Sequence, residues 1–263
     1  MKKLITLLLV GSFLLPISAQ AALIDGLQSY WKFDESSGSA ADAHGPNTLT
    51  NNNTIPYVAA KINNGADLES GSTQYFNAAD SASLSFTSDM SWSFWIKPES
   101  EAGDPVIIQK WGAAGQRAYY VQLRFSVNKV RLGTSAGGTT LNEGDVTVPA
   151  FTTDGTTWYH VVVAYTASAG TFDVYTQGVN RGTSDAVDTS LADGTSNFVF
   201  GMYNEGGGNS NFYDGVLDEA GAWNKVLTSG EVTSLYNGGN GLAYPLTEAE
   251  VGGVTAQDMI IFE

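Results

Sequence analysis

Short segments in which apolar and polar residues alternate recur along most of this chain, and they constrain its fold more than any other feature. They are rich in aromatic and β-branched residues, and clusters of Gly, Ser, Asn and Asp separate them. Because successive side chains of a β-strand point to opposite faces, this pattern predicts an all-β fold, an antiparallel two-sheet sandwich. The strands are expected near residues 27–34, 74–77, 91–97, 106–111, 119–126, 129–133, 158–166, 172–177, 197–202 and 215–223.

One segment, "LTSGEVTSLYNGG", favours a helix instead. Thr228 or Ser229 provides an N-cap, Glu231 lies in the first turn, and Gly238 and Gly239 can terminate the helix. Leucine and valine side chains give the segment one apolar side. We therefore expect one short C-terminal helix that closes one end of the sandwich.

Residues 1–21 predict a removable signal peptide. Two lysines precede an apolar run, and Ala19-Gln20-Ala21 has the pattern that precedes signal-peptidase cleavage. A membrane anchor is the other interpretation, but the apolar run is shorter than the roughly 20 residues that span a bilayer. Because the chain has no cysteine, it has no lipidation site. The mature chain is expected to be secreted and extracellular, without a membrane span.

Composition limits the partners of the mature chain. Without cysteine there are no disulfides, so stability must come from the core, with a metal as a further contributor. The 27 acidic residues outnumber the 12 basic ones, for a net charge of −15. Such a surface repels nucleic acid and anionic membranes and attracts divalent cations, although it also serves simply to keep an exported protein soluble.

Several stretches occur in an order and spacing that carry family information. They are "GLQSYWKFDESSG", "SWSFWIKP", "TWYHVVVAYT" and "YDGVLDEAGAWNKVLTSGEVTSLYNGG". Together they resemble the LamG-like jelly-roll domains of the concanavalin A-like lectin/glucanase superfamily. The resemblance implies a jelly-roll sandwich over residues 22–245, with the first and last strands side by side and calcium common. Residues 246–263 remain as a C-terminal tail, whose final "MIIFE" either adds an edge strand, docks on a partner or frays.

The last expected strand carries two adjacent acids. In "FYDGVLDEAGAWN", regular alternation places Asp218 on the face of Val216 and Glu219 on the opposite face, with Leu217. Both faces are largely apolar, and an unpaired buried carboxylate costs several kcal/mol. Each acid therefore needs a cation, a basic side chain or backbone donors.

The resemblance implies that Asp34 and Asp218 lie on neighbouring strands, where they could share a calcium ion. Calcium accepts six to eight oxygen ligands without strict geometry. Asp34 and Asp218 are the first candidate ligands, and Asp42 and Glu219 are further ones. Alternatively, Asp34 accepts backbone N–H bonds in a turn, and Asp218 pairs with Lys32 or another lysine. Zinc is disfavoured, because the chain has two histidines and no cysteine.

Two loops have the composition of a sugar-binding site, namely "YNEGGGNSNFY" and "KWGAAGQRAYY". Aromatic rings stack on sugar C–H surfaces, while amides and charged groups fix the hydroxyls. Ordinary hairpin chemistry is the alternative, because tight turns also require Gly and Asn. The candidate ligand-binding residues are Tyr203, Asn204, Asn209, Asn211, Tyr213, Trp111 and Arg117.

The sequence gives little support for catalysis. The resemblance implies that a glucanase would carry three acids closely spaced on one strand, whereas "ADLES" offers only Asp67 and Glu69. Asp218 and Glu219 point to opposite faces of a regular strand and so could not flank one glycosidic bond. His160 alternates with Trp158 and Val162, which is typical of a hydrogen-bonded core histidine.

We therefore expect a secreted, non-catalytic, lectin-like domain that binds a glycan or glycoprotein and holds a structural calcium ion. The alternative is a structural or adhesion subunit of a cell-surface or extracellular assembly. In that case the sandwich self-associates, and "MIIFE" mediates the contact.

Overall fold

Two antiparallel β-sheets dominate the protein in a computed structural model that describes residues 23–101 and 103–246. The eight-stranded sheet contains β1 (Leu27–Trp31), β3 (Tyr57–Ala59), β4 (Asn64–Leu68), β6 (Met90–Pro98), β11 (Tyr159–Thr166), β12 (Thr171–Thr176), β13 (Val179–Thr183) and β17 (Gly215–Trp223). The seven-stranded sheet contains β2 (Thr50–Asn52), β5 (Tyr75–Ala78), β7 (Val106–Lys110), β8 (Tyr119–Arg124), β9 (Lys129–Thr134), β10 (Asn142–Thr147) and β14 (Phe198–Phe200). Strands β15 (Tyr203–Asn204) and β16 (Asn209–Ser210) form a separate hairpin, and helix α1 spans Ser229–Tyr236.

The order of the strands brings distant parts of the chain together. The eight-stranded sheet runs β13-β12-β11-β6-β17-β4-β3, with β1 paired to β17. The seven-stranded sheet runs β10-β9-β8-β7-β14-β5-β2. The first and last strands are antiparallel neighbours, with Trp31 opposite Ala220, as the family resemblance implied.

Aromatic side chains join the two sheets. Trp31 and Trp92 from the eight-stranded sheet both stack on Phe198 of β14, with ring centroids 5.6 and 5.2 Å apart. Phe200 packs edge-on against Trp31 at 5.2 Å. All four side chains are fully buried. Because Phe198 and Phe200 point inward, Val199 between them faces the outer side of the seven-stranded sheet.

A second apolar cluster covers part of the outer face of the eight-stranded sheet. It contains Tyr30 and Trp223 from the sheet, Val232 and Leu235 from α1, and Leu246. Leu246 is fully buried, although it is the first residue of the predicted tail. The predicted signal peptide, residues 1–21, and "MIIFE" lie outside the described residues. Within the described ranges no helix has the length and apolar character needed to cross a bilayer.

The predicted C-terminal helix is confirmed. Thr228 is its N-cap, and its hydroxyl oxygen accepts a hydrogen bond from the backbone N–H of Glu231. The Glu231 carboxylate in turn accepts a bond of 2.8 Å from the Thr228 N–H, which completes a capping box. Asn237 follows the helix in a left-handed conformation.

The sequence pattern predicts that Trp92, Trp95 and Trp158 belong to the core of the sandwich, and this is correct only in part. Trp92 lies between the sheets, but Trp95 lies on the outer face, stacked on Tyr236 of α1 at 5.9 Å. Trp158 is only half-buried, and the Lys97 ammonium group lies over its ring. Trp95 and Trp158 therefore do not belong to the interior between the sheets.

The sheet interior also depends on one buried cation. Lys110 at the end of β7 is fully buried, and its Nζ forms an ion pair of 2.5 Å with Asp80. It also donates to the backbone carbonyls of Gly194 at 2.6 Å and Ser196 at 3.1 Å. Lys110 therefore anchors the segment that leads into β14.

We predict that Lys110→Met reduces the free energy of unfolding by about 2 to 4 kcal/mol, because it leaves two carbonyl groups and Asp80 without their donor. Urea denaturation measures the change. Lys129→Met is the matched control, because the Lys129 side chain is about one-third exposed and its ammonium group bonds only Asp145, at 3.4 Å, among the described residues. This variant should cost less than about 1 kcal/mol. Equal losses for the two variants would contradict the anchoring role of Lys110.

Candidate functional site

A cleft of about 410 Å³ lies on the outer face of the seven-stranded sheet, which we call the first cleft. Strand alternation explains its position: Tyr75 and Asn77 flank the inward-pointing Phe76, and Val199 lies between two inward-pointing phenylalanines. The lining residues are Asn52, Tyr75, Asn77, Gln109, Trp111, Gly112, Ser196, Asn197, Val199, Met202, Asn204 and Asn209.

Two pairs of asparagine side chains form opposite parts of the first cleft. On β2 and β5, Asn52 Nδ2 donates to Asn77 Oδ1 at 2.7 Å. In the β15–β16 hairpin, Asn204 Nδ2 donates to Asn209 Oδ1 at 2.7 Å. Because each amide has two donor hydrogens and an acceptor oxygen, each pair is fixed in orientation and retains further hydrogen-bonding capacity.

The floor of the first cleft ties the hairpin to the sheet. Gln109 is fully buried, and its Oε1 accepts a bond of 3.1 Å from the backbone N–H of Asn204. Beside it, Trp111 is buried under the guanidinium group of Arg117, which lies 5.7 Å from the ring centroid. Arg117 also forms an ion pair of 2.7 Å with Glu205 in the hairpin turn. These contacts preorganise the hairpin above the sheet.

The first cleft has a simple chemical character. Its lining consists of amides, a hydroxyl group, aromatic rings and small apolar side chains, and none of the described residues that line it is charged. The lining is therefore uncharged, although the chain as a whole has a net charge of −15. The surface suits a neutral ligand that has many hydroxyl groups and some apolar faces.

A second cleft of about 270 Å³ lies on the other side of the hairpin. Its lining comprises Val106, Tyr120, Gln122, Arg131, Leu141, Glu143, Tyr203, Glu205 and Asn211. Its charges are paired within the protein: Arg131 bonds Glu143 at 2.5 Å and Asp145 at 2.8 Å, and Glu205 bonds Arg117. Glu143 also accepts a short hydrogen bond from the Tyr120 hydroxyl. The two carboxylates that line this cleft are therefore both engaged.

The predicted ligand-binding residues are divided between these surfaces. Trp111, Asn204 and Asn209 line the first cleft, and Tyr203 and Asn211 line the second. Arg117 packs on Trp111 beneath them.

Tyr213 requires a correction. It is buried in the core, and its hydroxyl donates to the backbone carbonyl of Val216 at 3.2 Å, so its side chain cannot contact a ligand on the surface.

Sequence reasoning missed the β2–β5 side of the first cleft. The side chains there are Asn52, Tyr75 and Asn77, and Asn197 lies beside them. Strand alternation could have predicted that Tyr75 and Asn77 face outward, because the apolar Phe76 lies between them in the sequence. Asn52 had no comparable signal, because it lies in the uniformly polar run "NNNT".

Two of the four predicted calcium ligands have their carboxylates engaged. Asp42 accepts hydrogen bonds of 2.7 to 3.0 Å from the backbone N–H groups of Tyr30, His44, Gly45 and Asn47. This set satisfies both of its oxygens, so Asp42 does not fit a metal ligand.

Asp34 forms an ion pair of 3.0 Å with Lys32 and accepts a bond of 3.2 Å from the N–H of Asn64. Lys32 thus pairs with Asp34 rather than with Asp218. The first of the predicted ligands is therefore held by protein donors.

Asp218 and Glu219 lie in a β-bulge, which corrects the expected facing. The pairing of β17 with β6 shifts between Asp218 and Gly221, and Glu219 has a φ of 45°. Leu217 and Ala220 both point into the sandwich core. The two acids between them therefore share the outer side of the sheet, because the bulge adds a residue to the strand.

Each of these two acids keeps one buried oxygen without a partner in the described structure. Asp218 accepts a bond of 2.9 Å from the Ile62 N–H, and its Oδ1 is unpaired. Glu219 accepts a bond of 2.6 Å from the Tyr30 hydroxyl, and its Oε1 is unpaired. Burial raises the pKa of Asp218 to about 9 and that of Glu219 to about 8, and the charge of Asp34 raises both further.

Three other acids also lie close together, away from Asp218 and Glu219. Among the described residues, the carboxylate oxygens of Asp67, Glu69 and Glu99 lie within 4.8 Å of one another. Burial raises the pKa of all three, and none of them lines either cleft. Sequence reasoning noted Asp67 and Glu69 but missed Glu99, which follows a different strand.

His160 has the structural role that its position predicted. It is buried, and its Nε2 lies 2.8 Å from the Ser93 hydroxyl. Its ring stacks on Tyr236, and burial lowers its pKa to about 3. A histidine in this state is neutral at physiological pH and far from the clefts of the other sheet.

Comparison with known proteins adds family information. A sequence model of the concanavalin A-like lectin/glucanases superfamily matches residues 70–233, which is more than half of the chain. No curated protein matches the sequence.

Solved structures share the fold at low sequence identity. Domain 4 of AbnA, an extracellular arabinanase from Geobacillus stearothermophilus solved with arabinotriose, has a TM-score of 0.58 and 22% identity, and the match covers 79% of this chain and 96% of that domain. The botulinum neurotoxin serotype D ligand-binding domain, solved with N-acetylneuraminic acid, has a TM-score of 0.64 and 15% identity, covering 84% of this chain and 53% of that one.

The binding domain of Paraclostridial Mosquitocidal Protein 1 has a TM-score of 0.63 and 16% identity, covering 82% of this chain and 52% of that one. The chain therefore spans about half the length of these toxin domains.

The buried acid pair predicts an unusual dependence of stability on pH when divalent cations are absent. Both pKa values are higher in the folded protein than the usual value of about 4, so protons bind more tightly to the folded state. Their contribution to stability is complete below pH 4 and disappears as pH rises through about 8 to 9. Between these limits, each group should lower the free energy of unfolding by up to about 1.4 kcal/mol for each unit that the pH rises.

Urea unfolding in the presence of a chelator at pH 5, 7 and 9 measures this slope. Glu219→Gln and Asp218→Asn should each flatten it relative to the unmodified protein. Asp193→Asn, which changes an exposed acid, should leave the slope unchanged. If the first two variants keep the original slope, then the pair is not protonated in the folded state.

Proposed function

The chain belongs to the concanavalin A-like lectin/glucanases superfamily, and we propose that it is a non-catalytic domain that binds a neutral carbohydrate in the first cleft. The observation that carries this proposal is the lining of that cleft. Two preoriented asparagine pairs, the Tyr75 ring and the absence of charge among its described residues match the hydroxyls and C–H faces of a neutral sugar.

The structural neighbours support carbohydrate as the ligand class. One was solved with arabinotriose and another with N-acetylneuraminic acid. These ligands belong to those proteins. For this chain we propose a neutral rather than an acidic sugar, because an uncharged cleft in an acidic protein offers a carboxylate no compensating cation.

The same lining argues against hydrolysis at this site. Glycoside hydrolysis generally requires two carboxyl groups that flank the scissile bond. The first cleft has no carboxylate among its described lining residues, and Glu143 and Glu205 of the second cleft are both ion-paired to arginines. We therefore propose binding without turnover, by a protein that its N-terminal residues direct out of the cell.

We also propose a structural calcium ion, held by Asp218 and Glu219. The unpaired buried oxygens of these two acids, Oδ1 and Oε1, support the proposal, since calcium would neutralise a pair whose charges are costly to bury. Asp34, which follows β1, acts on both acids electrostatically and is the third candidate ligand; it would exchange its bonds to Lys32 and the Asn64 N–H for the ion. With Asp34 in the ligand set, calcium would join the first and last strands rather than contact the sugar.

The carbohydrate proposal predicts binding to neutral glycans on a glycan array. Asn77→Ala should weaken binding about tenfold or more, because it removes one amide from the cleft and releases its partner Asn52. Asn180→Ala, which changes an exposed asparagine on β13 of the other sheet, is the matched control and should bind normally.

Isothermal titration with the best array ligand gives the affinities of both variants. Binding only to acidic glycans would contradict the neutral-sugar assignment. Concentration-dependent self-association without any glycan binding would favour the structural-subunit alternative.

The calcium proposal predicts that millimolar Ca²⁺ raises the thermal unfolding temperature at pH 8. The gain should disappear in Asp218→Asn/Glu219→Gln, because the variant lacks both proposed ligands. Glu69→Gln/Glu99→Gln tests the other acidic group and should retain the gain. If the second variant alone loses the response, then calcium binds at Asp67, Glu69 and Glu99 instead.

A further inference from the structure

Building on the proposed function, we infer that the ligand is an internal stretch of a linear neutral polysaccharide that crosses the β15–β16 hairpin and occupies both clefts. The first cleft alone would accept a terminal sugar or a short oligosaccharide equally well. Three features of the outer face point to a longer chain: the arrangement of the hairpin side chains, a continuous aromatic layer, and the distance between the outermost lining residues.

The hairpin divides its side chains between the two clefts. Asn204 and Asn209, which are paired across the hairpin, line the first cleft. The second cleft is lined by Tyr203, Glu205 and Asn211, which lie one or two residues from Asn204 or Asn209 in the sequence. Strand alternation at β15 places Asn204 on one side and Tyr203 and Glu205 on the other. Asn211 follows β16 with a positive φ of 48°, so the chain leaves the strand there and Asn211 lines the second cleft although Asn209 lines the first. One short hairpin therefore serves both surfaces. A ligand that crosses it would contact side chains of both sets.

An aromatic layer connects the two clefts beneath the hairpin. Trp111 of the first cleft packs edge-on against Tyr120 of the second, with ring centroids 5.1 Å apart. Tyr120 in turn packs against Tyr203 at 5.5 Å. Trp111 and Tyr120 also belong, with Val106, to one buried cluster on this face. The two clefts therefore share one rigid base and have fixed positions relative to each other.

The second cleft has groups suited to a sugar and no free charge to attract an ion. Leu141 is 37% exposed and gives an apolar surface for a C–H face. Gln122 Nε2 donates to the Asp104 carbonyl at 2.8 Å. Its side-chain oxygen accepts no hydrogen bond from the described residues and can accept one from a ligand. The charges of Arg131 and Glu143 are paired with each other. The second cleft therefore fits a neutral hydroxylated ligand as well.

The dimensions of the face favour a chain over a single sugar. Tyr75 and Asn77 lie on β5 and Arg131 lies on β9, and the sheet order between them is β5-β14-β7-β8-β9. Four strand spacings correspond to about 19 Å. A third cleft of about 440 Å³ shares Gln122, Arg131 and Asn211 with the second, but the charged residues Glu101, Asp104 and Arg124 also line it, so the proposed ligand track is limited to the first two clefts. A ligand that uses this track would run across the strands.

The test is isothermal titration of the full mature protein with linear arabino-, gluco- and galacto-oligosaccharides of two to six residues. For the series that binds, the six-residue member should bind about tenfold or more tightly than the two-residue member. Leu141→Ala and Tyr203→Ala should each reduce this gain to less than about threefold. Val127→Ala, which changes an apolar residue outside the clefts that is 45% exposed, is the matched control and should keep the full gain.

The outcomes separate this inference from the proposed function. If all lengths bind with similar affinity, or if the gain survives Leu141→Ala, then the ligand does not extend into the second cleft, although carbohydrate binding stands. If no neutral oligosaccharide or polysaccharide binds, the proposed function itself fails and this inference fails with it. Because Leu141 is exposed and has a small role in packing, its variant remains informative even if Tyr203→Ala does not fold.

Discussion

The stacking of Trp31 and Trp92 on Phe198 is the contact on which the rest of the structure depends, because it joins the two sheets at their centre. Burial of apolar surface, to which these large aromatic side chains contribute strongly, is the main stabilising term in a chain without disulfides. The contact also fixes β14, which carries Phe198 and lies between β5 and β7. Since these neighbours carry Asn77 and Gln109, the interior packing sets the positions of the groups in the first cleft.

The two outer faces of the sandwich differ because different parts of the chain cover them. Helix α1 and the segments near both ends of the described chain lie on the eight-stranded sheet, where they bury Tyr30 and Trp223. The bulge at Asp218 and Glu219 lies on that same covered side. Among the described residues, the outer face of the seven-stranded sheet carries the short β15–β16 hairpin and the clefts beside it. We therefore propose structural roles for the first face and ligand binding for the second.

The sequence predicted the parts of the fold that depend on local alternation. Long strands such as β6, β11 and β17 and the capped helix were expected from the residues, and the family resemblance implied the pairing of the first and last strands. The missed strands are short or polar, among them "TNN" of β2 and "NEGDVT" of β10, where no apolar periodicity identifies a strand. The bulge was also missed, because a non-glycine residue with positive φ has no clear signal in "VLDEAG".

The sequence predicted only one side of the candidate site. The hairpin residues Asn204 and Asn209 stand out by composition, since glycines and other amides surround them. Their counterparts Asn52 and Asn77 come from strands more than one hundred residues away, and only the sheet order brings the two pairs to one cleft. Composition suggests the chemistry of such a site, whereas strand register decides which residues share it.

The most direct test of the central claim is a ¹H–¹⁵N NMR titration of the protein with a neutral oligosaccharide that it binds. The account predicts that the side-chain amide signals of Asn52, Asn77, Asn204 and Asn209 shift together with increasing ligand. Signals near Asp67, Glu69 and Glu99 should not move. Shifts confined to that acidic group, or to the face covered by α1, would contradict the assignment of the binding surface to the seven-stranded sheet.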